Sequence, residues 1–265
     1  MAGSAGRMRC PPEYIAIAER LADAARPIAR RYFRAPLEIE TKPDDTPVTR
    51  ADREVEAAMR EILREACPGH NIVGEEMGGA PGMTGTQWIL DPIDGTSAFA
   101  TGVAVFGTLI GLAIDGRFAL GLIDQAVTGE RWLGAAGRPS TLNGAPARVS
   151  DCTTIETARL FTTAPEYFSR EGSLAAFHRV RDKARFARYG ADCYAFGLLA
   201  SGHVDLVVEA QLHVWDYAAP AAVIENAGGV VTDWQGQPLS CASGGSVLAA
   251  STPALHEAAL ALLAG

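Results

Sequence analysis

From residue 13 onward, apolar side chains recur every three to four positions. Ile15, Ala18, Leu21, Ala22, Ala25, Ile28 and Ala29 fall on one stripe of a helix over 13–34. Pro27 lies inside that run and predicts a kink or a break, because its ring removes a helix N–H and crowds the preceding turn. Val55, Met59, Ile62, Leu63 and Ala66 repeat the pattern over 51–66, and Pro68-Gly69 stops it. Between the helices, "TKPDDTPVTRAD" (41–52) is polar and proline-containing and reads as a loop or hairpin edge. The period then changes. Residues 71–76 and 87–91 are strand-like, and "FGTLIGLAID", "ALGLIDQAV" and "GERWLGAA" are short apolar runs split by glycine, as in antiparallel strands of one sheet. Past residue 150, strand-like runs at 157–163, 186–189, 204–208, 229–233 and 246–250 alternate with helical ones near 173–182, 192–201, 216–227 and 253–263. Such alternation predicts a layered α/β second half. The chain thus divides into a Gly/Ala/Ser-rich flexible tail (1–12), an α+β half (13–148) and an α/β half (149–265), the two halves sharing one core.

Carboxylates interrupt this pattern at apparent strand ends. Trp88-Ile89-Leu90 runs into Asp91 and, past Pro92 and Ile93, into Asp94; "IVGEEMG" places Glu75 and Glu76 after an apolar run, and "HVWDYAA" does the same with Asp216. If these ends converge, several like charges meet where no lysine or arginine of the same motifs can neutralise them. Protons or a dication must then do so. All-oxygen ligation selects a hard ion, Mg2+ or Mn2+, over zinc. Pro92 holds Asp91 extended and supplies no N–H, which leaves the Ile93 carbonyl free as a further ligand. Gly95 allows close backbone approach, and Thr96 is expected to cap a helix starting near Ser97, whose N–H groups suit a phosphate. Metal plus phosphate cradle implies phosphoryl-ester hydrolysis.

Composition narrows the alternatives. The 265 residues are 48% apolar and 20% charged, enough for a buried core without staples. The net charge of −8, from 23 basic and 31 acidic residues, opposes nucleic-acid and anionic-membrane partners. No run approaches the ~20 apolar residues of a membrane span, and "MAGSAGRMRCPPEY" lacks a signal-peptide core, so a cytoplasmic protein is expected. Five scattered cysteines without a CxxC pair, and five histidines without HxxxH spacing, point to reduced thiols and no zinc site.

The motifs "GEE" (74–76), "WILDPIDGT" (88–96) and "WDYAA" (215–219), with "DDTPVTRADREVE" upstream, resemble the inositol monophosphatase-like family of Mg2+-dependent, lithium-sensitive phosphomonoesterases over roughly residues 13–255. The resemblance implies a layered α-β-α-β-α sandwich of the inositol monophosphatase/fructose-1,6-bisphosphatase type, usually a homodimer, holding two or three Mg2+ ions that Mn2+ can replace. By position, Glu75, Asp91 and the Ile93 carbonyl match ligands of a first ion, and Asp91, Asp94 and Asp216 those of a second. Asp52 matches a residue near a third, weaker site, or simply starts helix 51–66. Thr96 with Glu75 orients the attacking water, and the Gly95 and Thr96 N–H groups hold the phosphate. "FTTAPEYF" (161–168) and "RYGADCYAFGLLASGHVDLVVEAQL" (188–212) look like the histidinol-phosphatase branch. Histidinol phosphate is a cationic ester, and Asp192 and Glu209 are the acids expected to read it. Their competing readings are a helix N-cap for Asp192 and a solvated strand end for Glu209; Asp216 could likewise be a plain N-cap. An inositol or broad sugar-phosphate monoesterase, and a silent metal- and phosphate-binding regulator, are the alternative functions.

Overall fold

The first apolar stripe forms α1 (Pro12–Tyr32), buried through Ala18, Leu21, Ala22, Ala25 and Ala29. The helix runs through Pro27 without ending, so the expected break does not occur; its buried alanine stripe continues past the proline to Ala29. The computed structural model describes residues 8–35, 39–41 and 47–265. Residues 1–7 of the expected tail and 42–46 of the expected 41–52 loop lie outside them. Within the described part of the expected tail, Cys10 is buried and its N–H donates to Ala136 O at 2.9 Å, so it packs on the sheet and is no flexible tail residue. The flanks of the 41–52 segment pair as a hairpin of β1 (Ile39–Thr41) and β2 (Pro47–Thr49), and α2 follows (Arg50–Ala66).

Seven strands then build one sheet in chain order: β3 (Asn71–Gly74), β4 (Thr86–Asp94), β5 (Gly107–Ile114), β6 (Arg117–Gln125), β7 (Glu130–Ala135), β8 (Arg138–Leu142) and β9 (Ala145–Pro146), with the short α3 (Thr96–Ala100) leaving β4. β3 pairs parallel to β4, and every later neighbour is antiparallel. The second half contributes β10 (Arg159–Thr162), α4 (Ser173–Arg181), β11 (Phe186–Tyr189), α5 (Asp192–Ala200), β12 (Leu206–Glu209), α6 (Val214–Asn226), β13 (Val230–Thr232), β14 (Val247–Ala250) and α7 (Pro253–Ala264). Its five strands lie in the order β11-β10-β12-β14-β13.

Strand alternation sorts the core. Trp88, Leu90, Ile110, Leu112, Leu120 and Leu122 face α1 and α2 on one side of the large sheet. Ile89, Leu109, Ile123 and Trp132 face α5 and α6 on the other, and Val207 and Ala249 of the smaller sheet close over the same two helices. Leu160, Leu206, Val208 and Leu248 point the opposite way, onto α4 and α7. The layers are therefore α-β-α-β-α, as the resemblance implies, and the central cluster draws on both halves of the chain. A helix between two sheets has no polar face to show, and α6 buries Val214 and the continuous run Tyr217–Ile224.

A row of glycines seats α6. Gly111, Gly121 and Gly134 are register partners across β5, β6 and β7. A Cβ on Gly121 would stand 2.0 Å from Ala219 O, and one on Gly134 would stand 2.6 Å from Ala222 O. These neighbours are helix backbone and cannot swing aside. Gly121→Ala should therefore destabilise the protein by about 1–3 kcal/mol through overpacking, seen as a lower urea midpoint with an unchanged m-value. A loss below about 0.5 kcal/mol, the scatter of innocuous surface changes, would mean that α6 does not depend on the row. The row matters to function because α6 carries Asp216.

Candidate functional site

β4 pairs regularly with β5 from Thr86 to Asp91, and the register then shifts before Asp94. Pro92 has no N–H for the ladder, and the Ile93 N–H is taken by Asp91 Oδ1 at 3.0 Å. Pro92 O accepts the Thr108 hydroxyl at 2.8 Å, fixing the bulge against β5. Gly95, at φ 80°, then turns the chain into α3. Asp216 arrives from α6, where its Oδ2 accepts the His213 N–H at 2.7 Å. Asp91, Asp94 and Asp216 each place a carboxylate oxygen within 4.8 Å of the other two.

The cavity above them, about 390 Å3, is lined by Glu75, Asp91, Ile93, Asp94, Gly95, Thr96, Asp192, Glu209 and Asp216. Every site residue expected from the sequence is in that wall except Asp52. Asp52 is fully buried on α2 and its Oδ1 lies 3.4 Å from the Thr96 hydroxyl, directly behind the wall. Among the described residues, no lysine or arginine lines the cavity.

Electrostatics follow from that inventory. Burial, then Glu75, Asp94 and Asp216 in turn, push the Asp91 carboxyl well above the usual carboxylate range. Burial and Asp192 push Asp94 up to about 7, against the Cys193 N–H donated to its Oδ2 at 2.7 Å. Asp216 is raised well above its ordinary value, first by burial and then by Asp94. A cluster of this kind stays protonated or takes up cations, and its all-oxygen donors match a hard divalent ion.

Several local expectations are corrected. Thr96 is not a cap: Gly95 occupies the N-cap position, and the Thr96 hydroxyl instead donates to Ile93 O at 3.1 Å. The Ile93 carbonyl is therefore not free, although a carbonyl oxygen keeps a second lone pair. Asp192 is not an N-cap either. Ala191 holds that position, and Asp192 begins α5 at φ 43° with its side chain against Gly95, where a Cβ would meet Asp192 Cγ at 3.0 Å. Burial pushes Asp192 to about 6. Glu209 is no solvated strand end. It is 1% exposed and accepts from Thr163 N (2.7 Å), Thr163 Oγ1 (3.0 Å) and Thr162 Oγ1 (3.1 Å), while burial carries it to about 8. Asp216 follows no strand; it sits in the first turn of α6, with His213 as the N-cap residue.

The structure adds residues that the sequence did not single out. Thr162 and Thr163 hold Glu209, and Tyr167 lines the cavity with its phenol raised by burial and then by Asp192. His213 and Trp215, both within the quoted "HVWDYAA", also line the cavity and stack at 4.8 Å between ring centroids. Thr162, Thr163 and Tyr167 all sit in "FTTAPEYF", so the signal was the motif rather than any spacing.

Comparison with known proteins agrees with the geometry. The model of the inositol monophosphatase family matches residues 11–264. The chain is 44% identical over 256 residues to the bifunctional phosphatase IMPL2, chloroplastic, of Arabidopsis thaliana, covering 93% of this chain and 74% of that protein. It is 39% identical over 249 residues to the histidinol-phosphatase of Mycobacterium tuberculosis, covering 92% and 95%. Among solved structures, an inositol monophosphatase from Zymomonas mobilis superposes with a TM-score of 0.87 at 45% identity, over 96% of this chain and 98% of that one. Motifs, layers and acidic cavity together have one reading: the chain belongs to the inositol monophosphatase family, metal-dependent phosphatases of small phosphate esters.

Proposed function

We propose that the protein is a Mg2+-dependent phosphomonoesterase that hydrolyses L-histidinol phosphate to L-histidinol and inorganic phosphate. The observation that carries this reading is the half-buried carboxylate Asp192, which shares the cavity wall with Glu209 beside the aspartate cluster and, among the described residues, has no lysine or arginine next to it in that wall. A neutral polyol offers such a carboxylate only hydroxyl hydrogen bonds, whereas an ammonium or imidazolium adds an opposite charge to the bond. Asp192, at about 6, is ionised at neutral pH, and a cation arriving beside Glu209 favours its ionised form as well.

The donor set fits the ions that the family uses. Glu75, Asp91 and the Ile93 carbonyl would hold one Mg2+, and Asp91, Asp94 and Asp216 a second, with Asp52 beside a weaker third. When bound, the ions supply an acidified water and charge neutralisation at the phosphoryl and leaving oxygens. The chain does the rest. Thr96, tied to Ile93 O and facing Asp52, orients the attacking water together with Glu75. Gly95 and Thr96 present backbone N–H groups to the phosphate, since the first N–H groups of a helix have no partner within it. Asp192 and Glu209 hold the leaving alcohol through its cation.

The second reading, inositol-1-phosphate as substrate, draws on the 45% identity to the Zymomonas mobilis inositol monophosphatase. A side-by-side measurement of kcat/KM with Mg2+ decides between them. Histidinol phosphate should be preferred by at least about tenfold, the effect of one charge-assisted hydrogen bond of about 1.5 kcal/mol. Chelation should abolish turnover, and added Mg2+ or Mn2+ should restore it. A reversed preference would favour the inositol reading. Phosphate release from neither ester, nor from p-nitrophenyl phosphate, would leave the silent regulator.

A further inference from the structure

We propose that Glu56 is a positioning residue for the metal centre: with Arg60 it holds the turn after β3 that carries Glu75 into the cavity. The inference rests on the metal-dependent phosphatase reading and deepens it. Glu56 is fully buried on α2, one helical turn beyond Asp52, and a buried carboxylate persists only where hydrogen bonds replace its water. Here three donors do so. Glu56 Oε2 accepts the Glu76 N–H at 2.8 Å, and Oε1 accepts the Met77 N–H at 3.2 Å and Arg60 Nε at 2.7 Å. Arg60 Nη2 then donates to Gly78 O at 2.5 Å, the same oxygen that receives the Gly74 N–H at 3.0 Å.

The side chain of Glu75 is thereby set from both sides. Its own N–H is tied to Leu90 O of β4 at 3.2 Å, and the next two N–H groups are tied to Glu56. Gly74 makes the clamp sterically possible, because a Cβ there would stand 2.0 Å from Glu56 Oε1 and 2.9 Å from Arg60 Nη2. One face of α2 thus meets two parts of the site, Thr96 through Asp52 and the Glu75 turn through Glu56. A carboxylate is required for this. Glutamine offers one oxygen and one NH2, and the NH2 would face a backbone N–H or the arginine, donor against donor.

The experiment is Mn2+ binding to the full-length protein, followed by electron paramagnetic resonance or calorimetry, in a four-member cycle of wild type, Glu56→Gln, Glu75→Gln and the double variant. Glu56→Gln should weaken Mn2+ binding by about 10- to 100-fold, as loss of a residue that orients a metal ligand does. Glu75→Gln keeps the three aspartates, so it retains measurable affinity. Adding Glu56→Gln to it should cost nothing further, because the clamp acts through Glu75. An unchanged affinity in Glu56→Gln, or an undiminished second loss in the double variant, would overturn the proposal. If Glu56→Gln does not fold, Arg60→Lys, which loses the bond to Gly78 O, takes its place in the same cycle. A wild type that binds neither Mn2+ nor Mg2+ would bring down the phosphatase reading itself, a failure distinct from a clamp that proves idle.

Discussion

Asp94→Asn should lower kcat by more than about 100-fold at saturating Mg2+ while leaving the fold intact. The magnitude follows from a comparison: residues that merely orient metal ligands cost 10- to 100-fold when changed, and Asp94 belongs to the carboxylate cluster itself. Stability should move the other way. Asp94 is half-buried among like charges and raised to about 7, and Asn keeps its shape and an oxygen for the Cys193 N–H. Removing one carboxyl from the repelling set should leave the melting temperature of the metal-free protein unchanged or higher. What should shrink is the increment that Mg2+ adds to it, since binding stabilises only in proportion to affinity. Thermal melts with and without Mg2+, run beside the kinetics, read both effects. Near-wild-type turnover would remove Asp94 from the metal set, and a collapse of the metal-free fold would make it a structural residue.

The layers and the metal motifs were legible in the sequence for a physical reason. Strands buried on both faces read as apolar runs, amphipathic helices as 3.6-residue stripes, and an acid at the end of a buried strand stands out because it must be neutralised. The same rule does not say by what. Asp124 and Asp205 also sit in apolar runs and are also buried, yet Arg26 and Arg131 neutralise the first and Arg159 the second. Arg26 lies 98 residues from Asp124, a distance no local pattern crosses. Only the fold separates a carboxylate that has its arginine from one that awaits a cation.

The failures are equally specific. The Thr96 hydroxyl was expected to cap a helix because Ser and Thr usually do. Here the left-handed Gly95 takes that position, and the hydroxyl turns back to Ile93 O. Strands β8 and β9 went unseen because Arg138–Leu142 and Ala145–Pro146 pair at the sheet edge with little burial, so no apolar alternation marks them. Glu56 carries no local signal in the sequence. Its partners are backbone N–H groups twenty residues on, and their direction is a property of the turn rather than of the sequence.

Asp192→Asn should cost roughly 10- to 150-fold in kcat/KM for histidinol phosphate and almost nothing for p-nitrophenyl phosphate. A charge-assisted hydrogen bond contributes about 1.5–3 kcal/mol, and each 1.36 kcal/mol is about tenfold. The substitution is a clean probe on geometric grounds. Asp192 stands at φ 43°, a left-handed conformation that Asn adopts as readily as Asp, so the backbone and its contact with Gly95 are retained. It makes no cap whose loss would unravel α5. Asp192 is also one of the charges that raise Asp94, and the same charge attracts a dication, so the Mg2+ concentration for half-maximal turnover should hold or rise, and the comparison is made at saturating Mg2+. Only the cationic ester then loses a partner. Inositol-1-phosphate, with a neutral ring, should be turned over no more slowly than before. Equal losses on histidinol phosphate and p-nitrophenyl phosphate would show that Asp192 supports the metals or the fold, and the cationic-substrate reading would lose the carboxylate on which it rests.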